Sequence, residues 1–176
     1  MATTKWVLDP AHSELQFKIK HLMITTVTGS FNDFSAEVTT ENDDFQNATV
    51  SFKAAVDSID TGNKDRDGHL KNADFFNAEA FPSITFTSVS FQKTGDDYQL
   101  TGDLTIKDVT KPVTLDVEFG GTAKDPWGNT KAGFTLKGKI NRTAYGLTYN
   151  AALETGGVML GEEVKILGEL QFSKEA

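Results

Sequence analysis

His12, His21, His69 and Arg142 hold most of the acid–base and cationic chemistry that this chain could gather at one place. The histidines lie in separate segments with no i, i+4 pair, which argues against a helical metal site. Ser13 adjoins His12, but no nucleophile elbow surrounds any serine, so the spacing gives no support to acyl transfer. Asn63-x-Asp65-x-Asp67-Gly68, with Asp74 at the twelfth position, has the spacing of a calcium loop. Its first ligand is Asn, its last is Asp where a bidentate Glu is needed, and the residues before it read as strand, so no metal and no cofactor is expected. The acidic pairs Asp43-Asp44 and Asp96-Asp97 occupy turn sequences, where solvation explains them. His21 is the most informative group. It ends a strand whose apolar parity is Leu15, Phe17 and Ile19, and the same parity turns His21 inward. A polar side chain at the end of an apolar run can recognise a carbonyl or a phosphate. Arg142 follows the strand ending at Ile140 and is the cation nearest the Tyr145-Gly146 turn, which makes Arg142 and Tyr145 candidates for the same contact.

The elements that must position these groups are nearly all strands. A chain of 176 residues has the size of one domain, 1–176, and no repeat or linker divides it. The charge of −8 and pI near 4.8 disfavour nucleic acid and anionic lipid surfaces, and no basic stripe is visible along the sequence. The absence of Cys removes disulfides, thiolate nucleophiles and zinc–thiolate sites. No apolar run is long enough to span a bilayer. Met1 to Trp6 has no apolar signal region, so the cytoplasm is the expected compartment, or the periplasm if a signal peptide preceded these residues.

Alternation predicts strands through Trp6 and Leu8; Leu15, Phe17 and Ile19; and Ala48, Val50, Phe52, Ala54 and Val56. Ile84 and Phe86 are out of step with Val89 and Phe91, which predicts a bulge near Thr87-Ser88. Further strands run through Tyr98 to Ile106, Val113 to Phe119, Phe134 to Ile140 and Val164 to Phe172. Turns are expected at Glu41 to Asp44, Lys107 to Pro112 and Gly120 to Asn129, with an irregular stretch from Asn141 to Gly161. Only Lys64 to Phe76 departs from this pattern. It lacks Pro and β-branched residues, follows the turn Thr61-Gly62-Asn63 and precedes Pro82, so a short helix is expected, with Leu70 and Ala73 on one face and Phe75, Phe76 and Phe81 over a β structure. Eight or so antiparallel strands can close into a barrel; a two-sheet sandwich satisfies the same periodicity. Gly102, Gly138 and Gly168 interrupt inward parity, which fits strong curvature, room for a ligand, or both.

The chain resembles the YceI-like proteins in Leu8-Asp9-Pro10-Ala11-His12-Ser13, Phe17, Lys20-His21, Gly29 with Phe31, and Ile59 to Asn63. The likeness continues in Arg66-Asp67, His69-Leu70, Asp74-Phe75-Phe76, Gly102-Asp103-Leu104-Thr105, Thr110-Lys111-Pro112-Val113, Asp125-Pro126-Trp127-Gly128, Asn141-Arg142, Gly146-Leu147 and Gly161. Two positions depart from it: Ala144 stands where an acidic residue is common, and Thr28 where a basic one is. The resemblance implies an all-β, extended antiparallel eight-stranded lipocalin-like barrel with one short helix excursion near residues 64–76. It also implies a tunnel for a polyisoprenoid such as a quinone or prenyl phosphate, often within a homodimer; it does not imply an enzyme.

On these grounds the tunnel is expected to be lined by Phe17, Ile19, Val50, Phe52, Phe86, Leu100, Leu104, Leu115, Val117, Phe134 and Ile166, with Phe31, Phe75 and Phe76 contributing to its wall or cover. His21, Arg142 and Tyr145 are the expected head-group contacts. The expected function is non-catalytic binding, carriage or storage of the lipid. The alternatives are an enzyme on a similar substrate with His21 as acid or base, and a structural domain with a filled interior.

Overall fold

The computed structural model describes residues 3–22, 24–41, 44–148, 150 and 160–175. The expected turn at Asn42-Asp43 and most of the irregular stretch after Leu147 lie outside the described residues. In chain order the strands are β1 (Thr3–Leu8), β2 (Glu14–His21), β3 (Thr25–Phe31), β4 (Phe34–Glu41), β5 (Asp44–Ala55), β6 (Ile59–Asp60), β7 (Ser83–Thr94), β8 (Asp97–Ile106), β9 (Val109–Lys124), β10 (Thr130–Asn141) and β11 (Leu160–Lys174); α1 (Lys64–Lys71) is the one α-helix among them.

Eight strands close a ring in the order β1-β4-β5-β7-β8-β9-β10-β11, and β11 returns to β1 through Trp6↔Lys174 and Leu8↔Phe172. The barrel is therefore closed and antiparallel, not a sandwich, and closure removes the edges that open sheets leave unpaired. β2, β3 and β6 lengthen this wall at one end. β2 lies beside β11, β3 beside β2, and β6 beside β3. Three positions around the barrel are thus each built from two strands in tandem, β1 with β2, β4 with β3, and β5 with β6.

The break between β1 and β2 is set by local chemistry. Pro10 opens a 3-10 turn, Asp9 Oδ1 accepts from the Ala11 N–H at 3.1 Å, and Ser13 Oγ donates to the Asp9 carbonyl at 2.7 Å. His12 Nδ1 and Lys131 Nζ both reach Asp9 Oδ2, at 2.9 and 3.2 Å, and tie the corner to β10.

α1 starts where expected, with Asn63 Oδ1 accepting from the Arg66 N–H at 3.1 Å. It ends five residues earlier than Phe76. Asn72 takes an extended conformation, its Oδ1 accepts from the Asp74 N–H, and Phe76 N donates to the Leu70 carbonyl. The Asn side chain offers the backbone a turn in place of the next helical bond, so Ala73 lies beyond the helix. No residue of α1 is buried; the segment is anchored by Phe75 and Phe76 just after it.

Other boundaries also move. β9 extends through Val109–Pro112 and Gly120–Lys124, so the connections shrink to Lys107-Asp108 and residues 125–129. Lys107 takes a positive φ of 58°, which closes the first in two residues. The β7 bulge lies between Ser88 and Ser90, with Val89 as its extra, 70% exposed residue. Ser88 Oγ accepts the Val50 N–H at 2.8 Å, where the β5–β7 ladder has ended.

The apolar faces meet inside the ring. At the end formed by β1, the last residues of β4 and the start of β5, the rings of Trp6, Phe45, Phe119, Phe134 and Phe172 pack with centroids 5.0 to 5.9 Å apart. These spacings are those of favourable tilted and edge-to-face aromatic pairs, and they plug that end of the lumen.

Candidate functional site

A cavity of about 340 Å³ occupies the barrel above this aromatic floor. Strand alternation supplies its wall. Phe17 and Ile19 come from β2, Phe31 from β3, Val50 and Phe52 from β5, Phe86 from β7, Leu100 and Leu104 from β8, Leu115 and Val117 from β9, Phe134 from β10 and Ile166 from β11. Phe75 and Phe76 line it from the segment after α1, and Phe76 meets Phe31 edge to face at 6.2 Å. Every apolar residue expected in the tunnel or its cover thus lines the cavity, except Phe81, which lies outside the lining. Sequence alternation misses Phe45, on the floor. Asn47 has a φ of +64° and the β4–β5 register shifts beside it, so Phe45 turns inward out of step with Ala48 and Val50.

The interrupting glycines give a third arrangement beside curvature and vacant space. A methyl group at Gly138 would collide with Leu115, one at Gly168 would lie 2.9 Å from Leu136 Cγ, and one at Gly102 would lie 2.5 Å from the Phe86 ring. Gly29 on β3 receives the Phe17 ring in the same way. Each glycine is covered by a large neighbour, so none of them opens room directly. Each gives its side-chain space to that neighbour, which itself lines the lumen.

Apart from Gln16 on β2, the polar lining gathers at the end opposite the floor. His21 at the end of β2, Arg142 just beyond β10, and Thr61, Arg66 and His69 from the α1 excursion all line the cavity. Arg66 is exposed, so the cavity reaches the surface beside α1. No Asp or Glu is among the described lining residues, although the chain carries 25 acidic against 17 basic side chains. Arg142 is 3% exposed; its Nε donates to the Gly161 carbonyl at 2.8 Å and Nη1 to the Leu147 carbonyl at 2.6 Å. Burial lowers its pKa and Glu162 opposes that, but an arginine remains protonated near neutrality. Arg66 forks onto Thr61, with Nε to Oγ1 and Nη2 to the carbonyl both at 2.7 Å. His69 Nε2 lies 2.9 Å from Asp74 Oδ2, and its ring stands edge-on to Phe75.

Tyr145 needs correction. It is buried on the same 3-10 turn as Arg142, but only the longer Arg142 side chain lines the cavity, and burial raises the Tyr145 pKa. Thr28 and Ala144, the two departures from the family pattern, also lie outside the lining. The calcium spacing is dissolved by the fold: Asp65 and Asp67 lie on α1, Asn63 caps it, and Asp67 Oδ1 accepts from Thr61 N–H and Oγ–H.

A ring of eight antiparallel strands around an apolar lumen places the protein in the class of closed barrels with an interior site. Its cationic rim and α1 excursion set it apart from a barrel with a filled core. The chain belongs to the YceI-like domain family, which it matches over residues 6–172. It is 44% identical over 171 residues to a UPF0312 protein of Staphylococcus aureus strain USA300, covering 97% of this chain and 98% of the relative. Its fold is similar to that of Burkholderia cenocepacia BcnA, with a TM-score of 0.81 and 26% identity over 93% of this chain and 98% of that one. It is also similar to the Campylobacter jejuni YCEI protein, at TM-score 0.77 and 33% identity over 90% and 91%. A polyisoprenoid binding domain from Saccharophagus degradans shares the fold at TM-score 0.67 and 17% identity, covering 97% and 98%.

Proposed function

We propose that this protein binds and carries a polyisoprenoid lipid, with the chain along the barrel and a phosphate head group at the His21, Arg66, His69 and Arg142 end. The observation that carries this reading is the cavity lining: apolar along its depth apart from Gln16 on β2, cationic or proton-accepting at one end, and free of Asp and Glu among the described residues. Between the quinone and the prenyl phosphate, a lining with two arginines and no Asp or Glu among the described residues favours the anion. The fold shared with a polyisoprenoid binding domain supports the same reading.

Size and energy agree with it. Twelve residues of β10 at ~3.3 Å each, tilted by ~40°, give a barrel roughly 30 Å long. Each five-carbon unit buries about four to five methylene equivalents, or ~3–4 kcal/mol gross. Three units exceed the ~8 kcal/mol of micromolar binding before ordering costs, so the apolar chain supplies affinity and the rim selects the head. The test is equilibrium binding of a prenyl phosphate and of the prenyl alcohol of the same length, followed by organic extraction. The phosphate is expected to bind at least about tenfold more tightly, a gain of ~1.4 kcal/mol, and to be recovered unchanged. Equal affinity would refute the anionic head group, and a chemically altered product would refute carriage.

A further inference from the structure

The sequence shows no basic stripe, but the barrel assembles one. Lys139 on β10, Lys165 on β11 and Lys18 on β2 stand in register across adjacent strands, with Lys20 one step nearer the end of β2. All four alternate with cavity-lining neighbours, so they face outward, and among the described residues none of them is in an ion pair. The carboxylates on these strands are Glu162 and Glu163 at the start of β11 and, four residues from the lysine row, Glu169 beside Glu14. Four unpaired lysines thus cluster on one face of a chain whose net charge is −8.

The same wall ends in an unusual turn. The β2–β3 connection reads Leu22-Met23-Ile24, without the Gly, Asn or Asp that hairpin turns favour. Leu22 takes φ 54°, a left-handed position normally given to Gly or Asn, and is 37% exposed; Ile24 is 77% exposed. His21, immediately before this tip, lines the cavity, and so does Leu160, its partner on β11. An apolar tip at the rim of a lipid cavity, beside unpaired lysines, has the composition of a surface that enters an anionic lipid interface.

We propose that this rim, with Leu22 and Ile24 inserted and the lysine face against the head groups, docks on an anionic phospholipid bilayer, where the cavity exchanges its lipid. The proposal rests on the lipid-carrier reading, and the two are tested by separate arms. In the first, the full chain is sedimented with phosphatidylcholine vesicles with and without phosphatidylglycerol. Binding is expected only with phosphatidylglycerol, weakened by added salt and reduced about tenfold by Ile24→Asp and by Lys18→Glu with Lys165→Glu. In the second, a short-chain prenyl phosphate is delivered from solution without vesicles, and Ile24→Asp is expected to take it up as the unsubstituted chain does. No sedimentation with phosphatidylglycerol vesicles, or unreduced sedimentation of both variants, would overturn the docking surface. Failure to take up the soluble prenyl phosphate would overturn the carrier reading and leave the sedimentation result to decide docking on its own.

Discussion

At the scale of single residues, the lumen is kept wide by glycines that accept their neighbours. Leu115 lies over Gly138, Leu136 over Gly168, Phe86 over Gly102 and Phe17 over Gly29. Gly138→Ala is therefore expected to force Leu115 off its place, costing about 1–3 kcal/mol in urea unfolding and reducing lipid uptake. Adding Leu115→Ala should restore part of both, whereas independent effects would simply sum. Arg142 does two jobs that one substitution separates. Arg142→Leu removes the donors to the Gly161 and Leu147 carbonyls, with an expected stability loss of about 1–3 kcal/mol in urea unfolding. It should also weaken prenyl phosphate more than prenyl alcohol; equal weakening would mean that the guanidinium only holds the backbone. The inward direction of His21 was legible from the parity of Leu15, Phe17 and Ile19. The inward direction of Phe45 was not, because the left-handed Asn47 resets the alternation in a way that no apolar pattern records.

At the scale of elements, the corner between β1 and β2 and the excursion around α1 decide the shape of the site. The hydrogen bond with His12 holds the Asp9 carboxyl below its ordinary pKa, with Lys131 and the Ala11 N–H adding to it against partial burial. A depressed carboxylate stabilises the fold above its unfolded pKa, ~3.9, and that contribution is lost as pH falls through the folded value. Asp9→Asn should cost about 1–2 kcal/mol at neutral pH, and the gap from the unsubstituted chain should close below about pH 4. A gap independent of pH would assign the corner to shape alone. The excursion holds by Phe75 and Phe76, since no residue of α1 is buried. Phe75→Ala is expected to cost about 3 kcal/mol and to speed lipid release in stopped flow; unchanged release would show that the cover does not govern exit. The strands were legible because alternation at period two survives almost everywhere. The end of α1 was not, since Asn72 can continue a helix or break it by binding its own backbone, and composition does not say which. The contribution of Thr61, Arg66 and His69 to the cavity was hidden for another reason: β6 lays the excursion beside β3, a pairing made across distant residues.

At the scale of the molecule, closure turns one-sided strands into a lumen with unlike ends. Trp6, Phe45, Phe119, Phe134 and Phe172 close one end, and the other carries His21, Arg66, His69 and Arg142. That polarity matches an amphiphile with a long apolar chain and a small anionic head. The closed barrel was legible from the number of half-buried strands together with the family resemblance, but the tandem construction of three wall positions was not. A corner such as Asp9-Pro10-Ala11-His12-Ser13 reads as a turn between neighbours, whereas β1 and β2 both pair with the same strand. Leu104, midway along β8 and in the lining, allows the lumen itself to be blocked. Leu104→Trp should abolish lipid uptake while the chain stays folded; a loss of about 1–3 kcal/mol with no change in uptake would indicate a filled interior. The most direct measurement is native mass spectrometry of the purified protein with no lipid added. One adduct per chain is expected, in a mass series spaced by whole isoprene units and absent from Leu104→Trp. A bare chain that also fails to take up added prenyl phosphate would contradict the account.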